Sequence, residues 1–110
     1  MNKGEIWLAD LNPKVGSEQS GVRPVVIISG NVMNDNFNLI ITCPITSKVK
    51  NFIGGVVLQP NDTNGLSVKS EILTFHVRTI SKERLTKKLG SITDQENELL
   101  MENLNKILRY

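Results

Sequence analysis

The stretch that most restricts the fold of this chain is Val25-Val26-Ile27-Ile28-Ser29, reached through Gly16-Ser17-Glu18-Gln19-Ser20-Gly21-Val22-Arg23-Pro24. Consecutive β-branched residues behind a turn-rich segment have the length and make-up of a buried strand. Pro24 fixes its own φ and pushes Arg23 toward an extended backbone. The guanidinium is therefore offered from a stiff point, while the glycine-bracketed loop before it can adapt. A cation presented in this way either receives an anion or pairs with a carboxylate such as Glu18.

A length of 110 residues sets one domain, 1–110, with a single core. Thirteen Lys and Arg against eleven Asp and Glu leave a net charge of +2. That balance is compatible with nucleic acid but far from a histone-like binder. Cys43 is the only cysteine, so neither an internal disulfide nor a Cys-based zinc site can form. No long apolar run marks a membrane span or a signal peptide, and the chain reads as cytoplasmic.

Glu5 to Leu11 reads as a first strand, stopped at Asn12-Pro13-Lys14. The second runs from Pro24 to Ser29. Gly30 to Asn38 admits one helical turn, with Met33 and Phe37 as its bulky anchors. Leu39 to Cys43 is a third strand, carried to its end through Pro44-Ile45-Thr46-Ser47-Lys48. A basic connection, Lys48-Val49-Lys50-Asn51-Phe52-Ile53-Gly54-Gly55, leads to a fourth at Val56 to Leu58, and Pro60 to Gly65 reverses the chain. From Leu73 the alternation places Leu73, Phe75 and Val77 in the core and turns Thr74, His76 and Arg78 outward. Ser81 suits the N-cap of a short helix, and Leu89 to Ile92 a last short strand. Thr93 with Glu96 fits a capping box. It opens an amphipathic helix with Leu100, Leu104, Ile107 and Leu108 on one stripe. Four or five strands and a closing helix describe a mainly β, α+β domain built on a small barrel-like sheet.

No glycine-rich phosphate loop opens a helix, a second histidine for a zinc site is lacking, and the acids are scattered. Residues suited to contacting an anion gather instead at strand ends. They are Ser17, Glu18, Gln19 and Arg23, then Thr46, Ser47 and Lys48, then His76 and Arg78. Trp7 is either core or a surface on which a base can stack.

Over nearly its whole length the chain resembles the MazF/PemK family of toxin endoribonucleases from type II toxin–antitoxin modules. The resemblance is carried by Gly4-Glu5-Ile6-Trp7-Leu8-Ala9-Asp10-Leu11 with Pro13, by Gly16-Ser17-Glu18-Gln19 and by Gly21-Val22-Arg23-Pro24-Val25-Val26-Ile27. Pro44-Ile45-Thr46-Ser47 and Val77-Arg78-Thr79-Ile80 follow in order. It implies an SH3-like small β-barrel with short helices and a C-terminal amphipathic helix, the architecture shared by CcdB and PemK, acting as a homodimer. The implied activity is sequence-specific, metal-independent cleavage of single-stranded RNA without a cofactor. The implied partner is a cognate antitoxin whose MazE-like C-terminal segment lies across the toxin dimer. Operator DNA would be reached only through that antitoxin, and no membrane is involved.

On this resemblance Arg23 and Thr46 match the family's active-site pair, and Ser17, Glu18 and Gln19 belong to the RNA-binding loop. Ser47, Lys48, His76 and Arg78 complete the RNA-contacting set. The PemK-like branch carries an Arg and an Asp on the strand before the R-T-I motif, where this chain has Leu73 and Phe75, so the MazF-like branch is the better comparison. His76 stands where relatives commonly carry Gln. It is either a groove residue able to contact a base or move a proton, or an imidazole with no role. A CcdB-like gyrase-poisoning toxin and a non-cleaving RNA-binding relative are the alternative readings.

Overall fold

The computed structural model describes residues 1–13, 16–17 and 21–110. The elements run β1 (Glu5–Asp10), β2 (Val22–Ile27), α1 (Asn31–Asn36), β3 (Leu39–Thr46), β4 (Val56–Leu58), β5 (Ser70–Ile72), β6 (Arg78–Ser81), β7 (Leu85–Ser91) and α2 (Asp94–Arg109). One-turn 3-10 segments at Thr74–His76 and Lys82–Arg84 precede β6 and β7. The strands form one antiparallel sheet in the order β4-β5-β3-β2-β1-β7. The outer edge of β3 is divided: Leu39 to Thr42 pair with β6, and Ile45 and Thr46 pair with β5. Seven strands replace the four or five expected, and two of them, β5 and β6, are separated only by the 3-10 turn at Thr74–His76 and its flanking residues.

The apolar run in β2 has a simple cause: both faces of that strand are buried. Val26 and Ile28 join a core with Ile6, Cys43, Leu58, Ile72 and, from α2, Leu100 and Leu104. Val25 and Ile27 join a second core with Ala9, Leu11, Ile40, Ile80 and Leu85, which come from strands and their ends. The second core exists because the sheet curls over on itself into a half-barrel. Register shifts in the β1–β7 ladder, between Ile6 and Trp7 and between Leu8 and Ala9, supply the bending.

At the C-terminal end the capping box forms as expected: Thr93 Oγ1 accepts from Glu96 N at 3.1 Å, and Glu96 Oε1 accepts from Thr93 N at 2.8 Å. Leu100 and Leu104 are buried beneath α2, but Leu108 is 70% exposed and lies off the packed stripe. In α1 the anchor is Asn34 rather than Phe37, which is 60% exposed. Asn34 Nδ2 donates to Ser29 O at 3.0 Å while its Oδ1 accepts from Ser29 Oγ, so a polar pair holds the short helix. Among the described residues no helix is long and apolar enough to cross a membrane.

Candidate active site

Three chain segments meet at the C-terminal end of β3. The β2–β3 ladder pairs Val25 with Pro44, Val26 with Cys43 and Ile27 with Thr42. Carried two positions beyond its last pair, the same antiparallel count sets Arg23 level with Thr46. On its other side Arg23 pairs with Ala9 of β1. Arg23 and Thr46 are both half-buried, which leaves each side chain a path to solvent. Thr46 is also the ladder partner of Glu71 in β5.

The Thr46 hydroxyl is oriented. Its Oγ1 accepts from Lys48 N at 3.1 Å, so its hydrogen remains to be donated elsewhere. Ser47 and Lys48 are exposed immediately beyond it. Ser17 is exposed in the loop between β1 and β2, while Glu18 and Gln19 lie outside the described residues. That loop is closed at its base, where Leu11 N donates to Gly21 O at 2.9 Å and Gly21 N to Asn12 Oδ1 at 3.0 Å. From β7's leading turn, Arg84 Nη1 donates to Asp10 O at 2.9 Å and Asn12 O at 2.6 Å, pinning the outgoing end.

The segment 73–78 departs from its expected alternation. Leu73 donates its N–H to Pro44 O, and a 3-10 turn then rotates the side chains. Thr74 is fully buried and donates its hydroxyl to Gly54 O at 2.8 Å, whereas Phe75 is 43% exposed. Phe75 is therefore a surface aromatic, not core. His76 is half-buried against it, with ring centroids 4.7 Å apart. The turn follows Leu73, whose bond to Pro44 tethers it to β3 two residues before Thr46. Arg78 pairs with Thr42, four residues back along β3 and so about 13 Å from Thr46 by backbone rise. Its backbone is not brought to the Thr46 end.

Sequence reasoning missed Glu71. It is completely buried, and its carboxylate accepts from Lys50 N at 2.9 Å, Asn51 N at 3.1 Å and Phe52 N at 2.8 Å. Successive N–H groups converging on one anion form a nest, and Asn51 takes the positive φ of 52° that such a turn needs. A Cβ at Gly55 would overlap Glu71 Oε2, so only glycine lets the carboxylate through. The signal in the sequence was an acid between Ser70 and Ile72 in an otherwise core strand.

Two neighbouring groups are committed elsewhere. Burial pushes the Cys43 thiol up to about 12 and leaves it inert. Trp7 is half-buried against the strand-only core and donates its indole N–H to Glu5 Oε1 at 2.9 Å. Among the described residues no three His, Cys, Asp or Glu converge as a metal site.

Comparison with known proteins agrees with this architecture. The family model for the PemK-like, MazF-like toxin of type II toxin–antitoxin systems matches residues 2–108. Over 97 residues the chain is 38% identical to Endoribonuclease MazF of Staphylococcus saprophyticus, covering 87% of this chain and 81% of that protein. The crystal structure of MazF from Deinococcus radiodurans matches with a TM-score of 0.87 at 23% identity, covering 100% of this chain and 97% of that one. An endoribonuclease in complex with its cognate antitoxin, from a mycobacterial species, matches with a TM-score of 0.81 at 19% identity, covering 98% and 94%. These two show the same curled sheet with a closing helix. A family match across nearly the entire chain, together with that degree of identity to a MazF, shows that the chain belongs to the PemK-like, MazF-like toxins of type II toxin–antitoxin systems.

Proposed function

We propose that this chain cleaves single-stranded RNA by transesterification, with Arg23 and Thr46 at the scissile phosphate. The reading is supported by the β2–β3 ladder, which ends at Val25 and Pro44, two residues from both Arg23 and Thr46, and by the Thr46 hydroxyl's bond to Lys48 N. The substrate's 2′-oxygen attacks the adjacent phosphorus and gives up its proton, and the P–O5′ bond breaks as the 5′-oxygen takes one up. The products are a 2′,3′-cyclic phosphate and a 5′-hydroxyl. Negative charge grows on the non-bridging oxygens, where a fixed guanidinium and a preoriented O–H donor act most strongly.

Arginine is a poor proton acceptor. His76, in the 3-10 turn that follows the Leu73–Pro44 bond, is the candidate to receive the 2′-proton. Ser17, Glu18, Gln19, Ser47 and Lys48 contact the RNA strand around the phosphate, Arg78 contacts it farther along β3, and together they set the sequence cut. The toxin works in the cytoplasm as a homodimer, without a metal or cofactor, to block translation. A MazE-like antitoxin lays its C-terminal segment across the dimer, a reading supported by the solved relative held by its cognate antitoxin. That antitoxin alone carries the complex to operator DNA.

Primer extension along a long RNA treated with pure protein in EDTA tests the reading and locates the motif. Cleavage leaving a cyclic phosphate is the expected outcome. Arg23→Ala should lower kcat at least 100-fold, and Thr46→Val by about 10–100-fold. RNA left intact while gyrase supercoiling is inhibited would establish the other class of toxin. A His76→Gln variant with unchanged rate and pH profile removes the imidazole from the proton path.

A further inference from the structure

Beside the phosphate site lies an aromatic surface that the cleavage chemistry does not use. Phe52 and Phe75 are 37% and 43% exposed, with ring centroids 5.1 Å apart and planes at 61°. The His76 ring lies 4.7 Å from that of Phe75. The two phenylalanines come from segments distant in sequence and are locked together from below. Phe52 N is bound by Glu71, Thr74 reaches Gly54 O, and Glu71 is the ladder partner of Thr46. The platform is thus built into the same strand pair that ends at the phosphate site.

Its charge identifies the occupant. Residues 46–56 hold Lys48 and Lys50 and no acid. The one carboxylate beneath them, Glu71, is buried and spent on backbone N–H groups. Exposed π faces flanked by lysines suit a nucleotide with an unstacked base, and such stacking tolerates any base identity.

We propose that Phe52 and Phe75 form a base-stacking subsite for a nucleotide of single-stranded RNA next to the scissile phosphate. The clamp made by Glu71 holds the subsite in place. Because a paired base has no free face, this subsite rejects duplex RNA. The ligand's identity rests on the endoribonuclease reading, but the subsite binds whether or not the strand is cut.

The test uses the full chain and a single-stranded RNA of defined sequence, selected for tightest binding and made uncleavable by 2′-O-methylation, with 2-aminopurine placed at successive positions. Quenching at one position on binding is expected, and none at any position overturns the subsite. Phe52→Leu and Phe75→Leu should each weaken binding about tenfold. Phe75→Tyr should bind like the wild type. On cleavable RNA the leucine variants should raise KM and leave kcat nearly unchanged. Unaltered affinity in both leucine variants overturns the proposal. So does an affinity loss that follows a change in sedimentation, which would make the rings a contact between copies. Quenched binding without cleavage by the wild type would sink the nuclease reading and leave the subsite standing. Failure of the wild type to bind single-stranded RNA would sink both.

Discussion

At the scale of single residues, the side chains that matter are those whose polar atoms have been committed before any ligand arrives. Thr46 has one lone pair taken by Lys48 N, which leaves its proton free to be donated elsewhere. Glu5 is a second committed group, and it controls stability rather than chemistry. Burial raises its proton affinity, but the Trp7 indole N–H, the Asn2 backbone contact and Lys88, whose Nζ lies 3.3 Å away, together outweigh this and hold it below the usual glutamate value. A depressed folded-state pKa means stability that is fully present above the unfolded value of about 4.5 and is lost as pH falls through the folded one. Urea melts of wild type and Glu5→Gln should therefore converge as pH is lowered from 6 toward about 3. A gap between them that stays constant over that range would show that Glu5 carries no linked proton.

At the scale of elements, the 48–55 loop and β5 behave as one unit. Glu71 provides the bond acceptors and Gly55 the room. Removing the carboxylate strands three backbone donors, and adding a methyl at Gly55 displaces it. Glu71→Ala and Gly55→Ala should each cost about 2–3 kcal/mol in urea unfolding. Because both break the same clamp, the double variant should cost clearly less than the sum. Strict additivity would mean that the two positions act separately. The capping box of α2 was legible in the sequence because it is a contact three residues long, Thr93 to Glu96. The clamp was not, since Glu71 meets donors 19 to 21 residues away. The error at Phe75 has a related origin: a single 3-10 turn between β5 and β6 resets the phase, and alternation cannot reveal an inserted turn.

At the scale of the whole molecule, apolar surface left uncovered bears on assembly. Val32, Phe37 and Leu39 are 83%, 60% and 47% exposed within a few residues of one another. Large apolar side chains exposed in this way are surface that a second copy could cover. If the chain works as a homodimer, its Tm should rise with protein concentration. Calorimetry over a hundredfold dilution, with sedimentation at both ends, measures this. A flat Tm and monomer mass throughout would rule the dimer out.

Local chemistry determined much about this protein: the buried run of β2, the turn at 60–65 and the cap of α2, although β2 begins at Val22, two residues before the start expected at Pro24. Each depends on interactions within a few residues, and the ordered motifs around Arg23 and Thr46 were enough to place the chain in its family. Tertiary structure alone decided that β2 is buried on both faces, that β3 divides its outer edge between β5 and β6, and that Arg84 reaches back 72 residues to pin the loop leaving β1. It also decided that Glu71 belongs under the loop and that Phe75 faces out. The physical reason is the curl of the sheet. Bending a single layer into a half-barrel brings distant strand ends together, and only that closure shows which polar groups find partners and which rings are left for a ligand.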